Sequence, residues 1–161
     1  MKIIKYDRVK AVNYAINWAK RRNPKYFNFD GLGGDCTNFI SQCLYAGCKV
    51  MNFTKTFGWY YRSSSDRTPS WTGVEYLYNY LITNDRIGPF AKEVNESQAE
   101  IGDIVQLAHA TGDYFHTAII TEKNNNSILV SCHSRDLLSV PLSLFRYDII
   151  RFLHVEGVYV N

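Results

Sequence analysis

The chain has 161 residues, which fits one compact domain over 1–161, and its 46% hydrophobic, 20% charged composition is that of a globular protein. A net charge of +3, with no basic run longer than Lys20-Arg21-Arg22, excludes the dense cationic stripe that a nucleic-acid partner requires. No apolar run approaches the ~20 residues of a membrane span.

In chain order, residues 7–22 predict an amphipathic helix, with Asp7 as N-cap and Val9, Val12, Ala15, Ile16 and Ala19 at helical spacing. Asn23-Pro24 ends it, because the residue before a proline is driven out of the α region. A loop carrying Tyr26, Phe27 and Phe29 leads to Gly31-Leu32-Gly33-Gly34. A second helix is expected from Asp35-Cys36 to Ala46, with Gly47 as its stop. Phe39, Ile40, Cys43 and Leu44 make one side of it apolar, as in a buried helix. Residues 48–71 read as irregular, and a third helix follows over about 73–83.

The second half changes character. Strands are expected at 102–107, 115–121, 127–133 and about 148–160, with Asn124-Asn125-Asn126 as a turn between two of them. Helices first and an antiparallel sheet afterwards give an α+β fold, N-terminal helices packed on a C-terminal sheet. The N-terminal Met1–Asp7 stretch lacks the apolar core of a signal peptide. A cytoplasmic location is the expectation for the sequence as written, with action at the cell wall if it is an excised domain.

The four cysteines stand at 36, 43, 48 and 132. If Cys36 and Cys43 share a helix, their Cα atoms are about 10.5 Å apart, too far for a disulfide. No CxxC pair provides zinc spacing, so no metal or other cofactor is expected. Cys36 needs another explanation. In Gly33-Gly34-Asp35-Cys36 a cysteine heads a helix, where the dipole and free N–H groups favour thiolate and can hold an oxyanion. The glycines, Gly34 nearest, would let a substrate backbone approach. Taken alone, this motif is more often a buried structural cysteine behind a glycine turn.

A thiolate needs a base. His116 falls on a strand, on the same alternate set as Ala118 and Ile120, where an imidazole requires a hydrogen-bonding reason. His133 ends the next strand. A hairpin about the asparagine turn puts His116 opposite residue 132 or so, with His133 a near neighbour. Base and orienter on paired strands suit a cysteine nucleophile. His109 and His154 have no comparable setting, and alternation turns Cys132 away from His133.

The run Asp35-Cys36-Thr37-Asn38-Phe39-Ile40 resembles the Asp-Cys-Ser-Gly-Phe-Val signature of NlpC-type cell-wall peptidases. The longer Gly33–Leu44 run resembles the putative amidase domain family within that superfamily. So do Arg8…Ala11-Val12…Tyr14-Ala15…Trp18, Asn23-Pro24, Trp59-Tyr60-Tyr61…Ser70-Trp71, Gly102-Asp103-Ile104-Val105-Gln106, His116-Thr117-Ala118-Ile119-Ile120 and His133-Ser134. The resemblance spans nearly the whole chain and implies a papain-like fold with Cys36 as nucleophile, His116 as base and His133 as third member. It also implies that Asp35 holds a substrate amino group, and that the substrate is a peptide, with peptidoglycan stem peptides as the class. The family pattern Ser-His-Thr-x-Asp-Arg differs from Cys132-His133-Ser134-Arg135-Asp136, which leaves Asp136 as an alternative orienter. Tyr26, Trp59, Tyr60 and Trp71 are candidates to line the groove, each equally an ordinary core aromatic. An acyltransferase on the same site, an inactive binding module and, last, a Cys/His metal site are the rival readings.

Overall fold

The computed structural model describes residues 1–161. A short exposed strand, β1 (Lys2–Ile4), leads to α1 (Arg8–Trp18), and Asp7 caps that helix by accepting the Lys10 N–H at 3.0 Å. Ala11, Val12 and Ala15 turn inward, and these small side chains let α1 lie close to α2 (Cys36–Cys48). Every residue of α2 except Tyr45 and Ala46 is buried, which marks it as the central helix. Gly47 is not its stop. The helix runs on to Cys48 and ends at Lys49 in the left-handed region, φ 64°. Gly47 serves a close approach instead: a Cβ there would come within 2.5 Å of Tyr6 Cε1 and 2.8 Å of the Asp7 carbonyl.

The segment between α2 and the next helices holds more order than its polarity suggests. Asn52 and Trp59 exchange backbone hydrogen bonds of 2.9 and 2.8 Å, and β2 (Tyr61–Ser63) pairs with β3 (Asp66–Arg67). The helices α3 (Pro69–Thr72) and α4 (Val74–Thr83) follow.

Six further strands complete one antiparallel sheet: β4 (Gly88–Val94), β5 (Ile104–Ala108), β6 (Tyr114–Lys123), β7 (Ile128–Cys132), β8 (Leu137–Pro141) and β9 (Ile149–Val160). The order is β1-β9-β5-β6-β7-β8, with β4 also on β9. The α+β expectation therefore holds, and the antiparallel sheet is larger than foreseen.

Alternation along the strands separates two cores. Ile104, Ile119 and Leu153 face the helices and join Phe39, Ile40, Leu44, Trp59 and Trp71. Val105, Leu107, Ala118, Ile120, Val130, Cys132 and Phe152 form a second cluster on the other face. The β6–β7 register departs from expectation. A bulge between Ile120 and Glu122 inserts a residue, so Ile119 lies opposite Ser131 and the ladder stops there.

Candidate active site

The glycine loop before α2 turns three times through backbone space that favours glycine: φ is 80° at Gly31, 94° at Gly33 and 100° at Gly34. No atom lies within 4 Å of a Cβ built at Gly31 or Gly33, so conformation rather than crowding requires glycine, and this side of the loop is open. Gly34 faces Ser134, whose Oγ accepts the Asp35 N–H at 2.7 Å.

Asp35 is fully buried and fully engaged. Its Oδ1 accepts the Phe29 N–H (2.9 Å) and Asn38 Nδ2 (2.8 Å), and its Oδ2 faces His133 Nδ1 at 2.7 Å. Burial raises the cost of its charge, yet the hydrogen bonds from His133, Phe29 and Asn38 prevail and hold its pKa below the ordinary carboxylate value. Arg22 closes the cluster, with Nε 3.3 Å from Asp35, Nη2 2.5 Å from Asp30 and Nη1 2.8 Å from Asp136. Asp35 thus braces the loop, and no substrate amine can reach its oxygens without breaking that brace.

Cys36 heads α2 and is itself buried. Burial pushes its thiol pKa up, partly offset by three donors at the sulfur: the Thr117 N–H, the Thr37 hydroxyl and the Thr37 N–H. The Thr37 oxygen lies 3.8 Å from Sγ and 2.9 Å from Thr117 Oγ1, which ties the first turn of α2 to β6. Because the β6–β7 ladder stops at Ile119, the sulfur occupies the place where Thr117 would meet a strand partner. The nucleophile candidate is therefore one peptide unit from His116.

His116 has its Nε2 buried without any hydrogen-bond partner, and burial alone lowers its pKa to about 4. At neutral pH the pair is a thiol and a neutral imidazole, not the ion pair that the helix dipole by itself suggests. The ring sits 5.4 Å from that of Phe145, on the side of the sheet that carries Ala118 and Ile120.

The structure does not bring His133 to His116. Residue 133 lies beyond the end of β7, and its ring stacks 3.9 Å over Phe39 on the helix side of the sheet. Its Nδ1 faces Asp35, and its Nε2 lies 2.8 Å from the Trp18 carbonyl. The turn is the physical reason: Lys123 already pairs with Ile128 across it, three residues beyond the expected register, and the β6 bulge recovers only one of the three. Asp136, the alternative orienter, binds Arg22 at 2.8 and 3.0 Å and is equally occupied.

Trp59 and Trp71 line no groove. Both are completely buried, their indole N–H groups donating to Ser41 Oγ (3.1 Å) and Asn38 Oδ1 (3.0 Å), so they anchor α2. Tyr60 is buried too, with its hydroxyl donating to Asp66 at 3.1 Å. Tyr26 is half-buried against Trp71 and Tyr61, with ring centroids 6.1 and 5.1 Å away. Sequence reasoning missed Arg22, Ser134, Thr37 and Thr117. Of these, Thr37, Thr117 and Ser134 carried a positional signal, each next to a singled-out Cys or His, and Arg22 carried none. No grouping of three or more His, Cys, Asp or Glu suited to a metal occurs, and no helix is long and apolar enough to cross a membrane.

Two curated Bacillus subtilis (strain 168) proteins are similar to the chain. Uncharacterized protein YhbB is 35% identical over 136 residues, which is 81% of this chain and 42% of that protein. Uncharacterized protein YjcM is 28% identical over 144 residues, 84% of this chain and 32% of that protein. The chain thus spans less than half the length of either relative. No solved structure matches it. The model of the family described as "Putative amidase domain" matches residues 5–155, a span that takes in the glycine loop, Cys36 and His116. The chain belongs to that amidase family, whose description points, at a coarse level, to amide hydrolysis.

Proposed function

We propose that the chain is a cysteine-dependent amidase of the NlpC, papain-like type, with Cys36 as nucleophile and His116 as the group that takes and returns its proton. The observation that carries the reading is the juxtaposition at the head of α2. There a helix-leading sulfur rests on the amide of Thr117, the residue after His116, whose buried imidazole Nε2 has no partner within the protein. An orphaned nitrogen in that position is what a proton-transfer partner needs before substrate arrives.

In the step that follows, the thiol proton passes to His116 Nε2 as sulfur forms a bond to the amide carbonyl carbon. The carbonyl electron pair moves onto oxygen, facing the backbone N–H groups at the head of α2. Collapse breaks the C–N bond, His116 returns the proton to the departing amine, and water hydrolyses the thioester. With both groups neutral at rest, His116 acts as general base rather than as half of a preformed ion pair. Asp35 and His133 support this chemistry by bracing the loop, not by touching substrate.

Peptide amides, with peptidoglycan stem peptides as the class, follow from the resemblance of the Asp35–Ile40 run to wall peptidases. The test is Cys36→Ala and His116→Ala assayed on purified wall fragments and on synthetic stem peptides. Each change is expected to reduce turnover at least 10³-fold, as for other members of a nucleophile–base pair. Turnover that persists in Cys36→Ala overturns the reading.

A further inference from the structure

A row of buried polar side chains runs across the sheet beneath the head of α2. Arg151 on β9, Gln106 on β5 and Thr117 on β6 are cross-strand neighbours, and Thr37 continues the row onto the helix. Gln106, Thr117 and Thr37 are at most 1% exposed and Arg151 is 8% exposed, so these groups must bond with one another.

Donor chemistry fixes the links from Arg151 through Gln106 to Thr117, and leaves the two threonine protons free to follow the same direction. A guanidinium can only donate, and Arg151 donates from Nε (2.9 Å) and Nη2 (2.6 Å) to Gln106 Oε1. That sets the amide orientation, and Gln106 Nε2 donates to the Val74 carbonyl (2.9 Å) and to Thr117 Oγ1 (3.4 Å). Thr117, accepting from Gln106, has its own proton left for Thr37 Oγ1 at 2.9 Å. Thr37, accepting in turn, has its proton left for the Cys36 sulfur at 3.8 Å. At the far end Arg151 is clamped between the rings of Tyr78 and Tyr114, 3.5 Å from each centroid, and 3.2 Å from Glu75.

We propose that Arg151 and Gln106 are positioning residues that polarise a one-way hydrogen-bond relay through Thr117 and Thr37, so that the Thr37 hydroxyl proton is always presented to the Cys36 sulfur. The inference rests on Cys36 being the nucleophile. Its consequence is physical: each donor is strengthened by the one behind it, and the last stabilises negative charge as the thiol loses its proton. The other titratable groups that interact with the sulfur are Asp35 before it and Cys132 on β7, and the variants below leave both, and His116, in place.

The experiment measures iodoacetamide alkylation of Cys36 in the full chain against pH, read site by site by mass spectrometry, with a thermal melt of each variant. Thr37→Val keeps the shape and removes the terminal donor. It is expected to slow alkylation roughly tenfold at fixed pH and move the profile to higher pH, the effect of losing a charge-assisted bond, while Thr37→Ser restores both. Gln106→Glu keeps the size but turns the middle link from donor to acceptor. Thr117 then donates backwards, and the Thr37 proton follows it away from sulfur. Adding Thr37→Val to Gln106→Glu should then change nothing further. Alkylation of Thr37→Val at the wild-type rate overturns the relay, and so does an undiminished Thr37→Val effect in the Gln106→Glu background. Should the buried glutamine change prevent folding, the Thr37 pair still decides. Alkylation is read without substrate, so an intact relay in a chain that hydrolyses no amide would sink the amidase reading alone.

Discussion

The carboxamide of Asn38 shows how single side chains carry the site. It accepts from the Trp71 indole at 3.0 Å and donates to Asp35 at 2.8 Å, so a buried tryptophan and the loop brace meet at one residue. Trp71→Phe removes the donor and leaves a buried oxygen unpaired. A loss of about 2–3 kcal/mol in urea-unfolding free energy is expected, from the orphaned acceptor plus the small void. Sequence could single out Cys36 and His116 as candidates because helix-head cysteines and imidazoles on apolar strand faces are unusual. It could not tell a groove-lining Trp71 from a core one, since both roles use the same ring. Nor could it find the partners of His133, Asp35 and the Trp18 carbonyl, because both lie about a hundred residues away and meet it only through the packing of the helices on the sheet.

At the scale of elements, α1 and α2 were legible from their periodicity and from Asp7, whereas β1, β4 and β8 were not. β1 has three exposed residues, β4 opens on Gly88-Pro89, which reads as a turn, and β8 is half-exposed without clean alternation. The close contact between α2 and the start of α1 was hidden as well. Gly47 looks like a helix stop, yet it is the point where α2 passes Tyr6 and Asp7. Gly47→Ala therefore sets propensity against packing. Alanine favours the helix by about 1 kcal/mol, while the displaced Tyr6 ring and the rigid Asp7 carbonyl cost more, about 1–3 kcal/mol beyond that gain. A lowered melting temperature is the expected outcome, and an unchanged or raised one would mean that the two segments part without cost.

For the whole molecule, acid stability follows from buried groups whose charge the fold resists or prefers. His116 titrates at about 4 when folded against an ordinary 6.5, so between those values the unfolded chain binds a proton that the folded chain does not. Stability from this group is complete above pH 6.5 and declines as pH falls towards 4, by up to about 3 kcal/mol. Asp35, held below its ordinary value, adds a loss at still lower pH, as its carboxylate is protonated. Denaturant unfolding at pH 7, 5.5 and 4.5 should show the decline, and His116→Phe should flatten it over this window. A slope unchanged by that substitution would assign the pH dependence elsewhere.

The early end of the β6–β7 ladder links this global architecture to the reacting atom. A hairpin that zipped further would offer Thr117 a carbonyl in place of a sulfur, and Cys36 would be displaced from its seat. The length of the asparagine turn and the bulge beside it thus act as a ruler: they decide how far two strands close, and so whether there is room for a nucleophile at all.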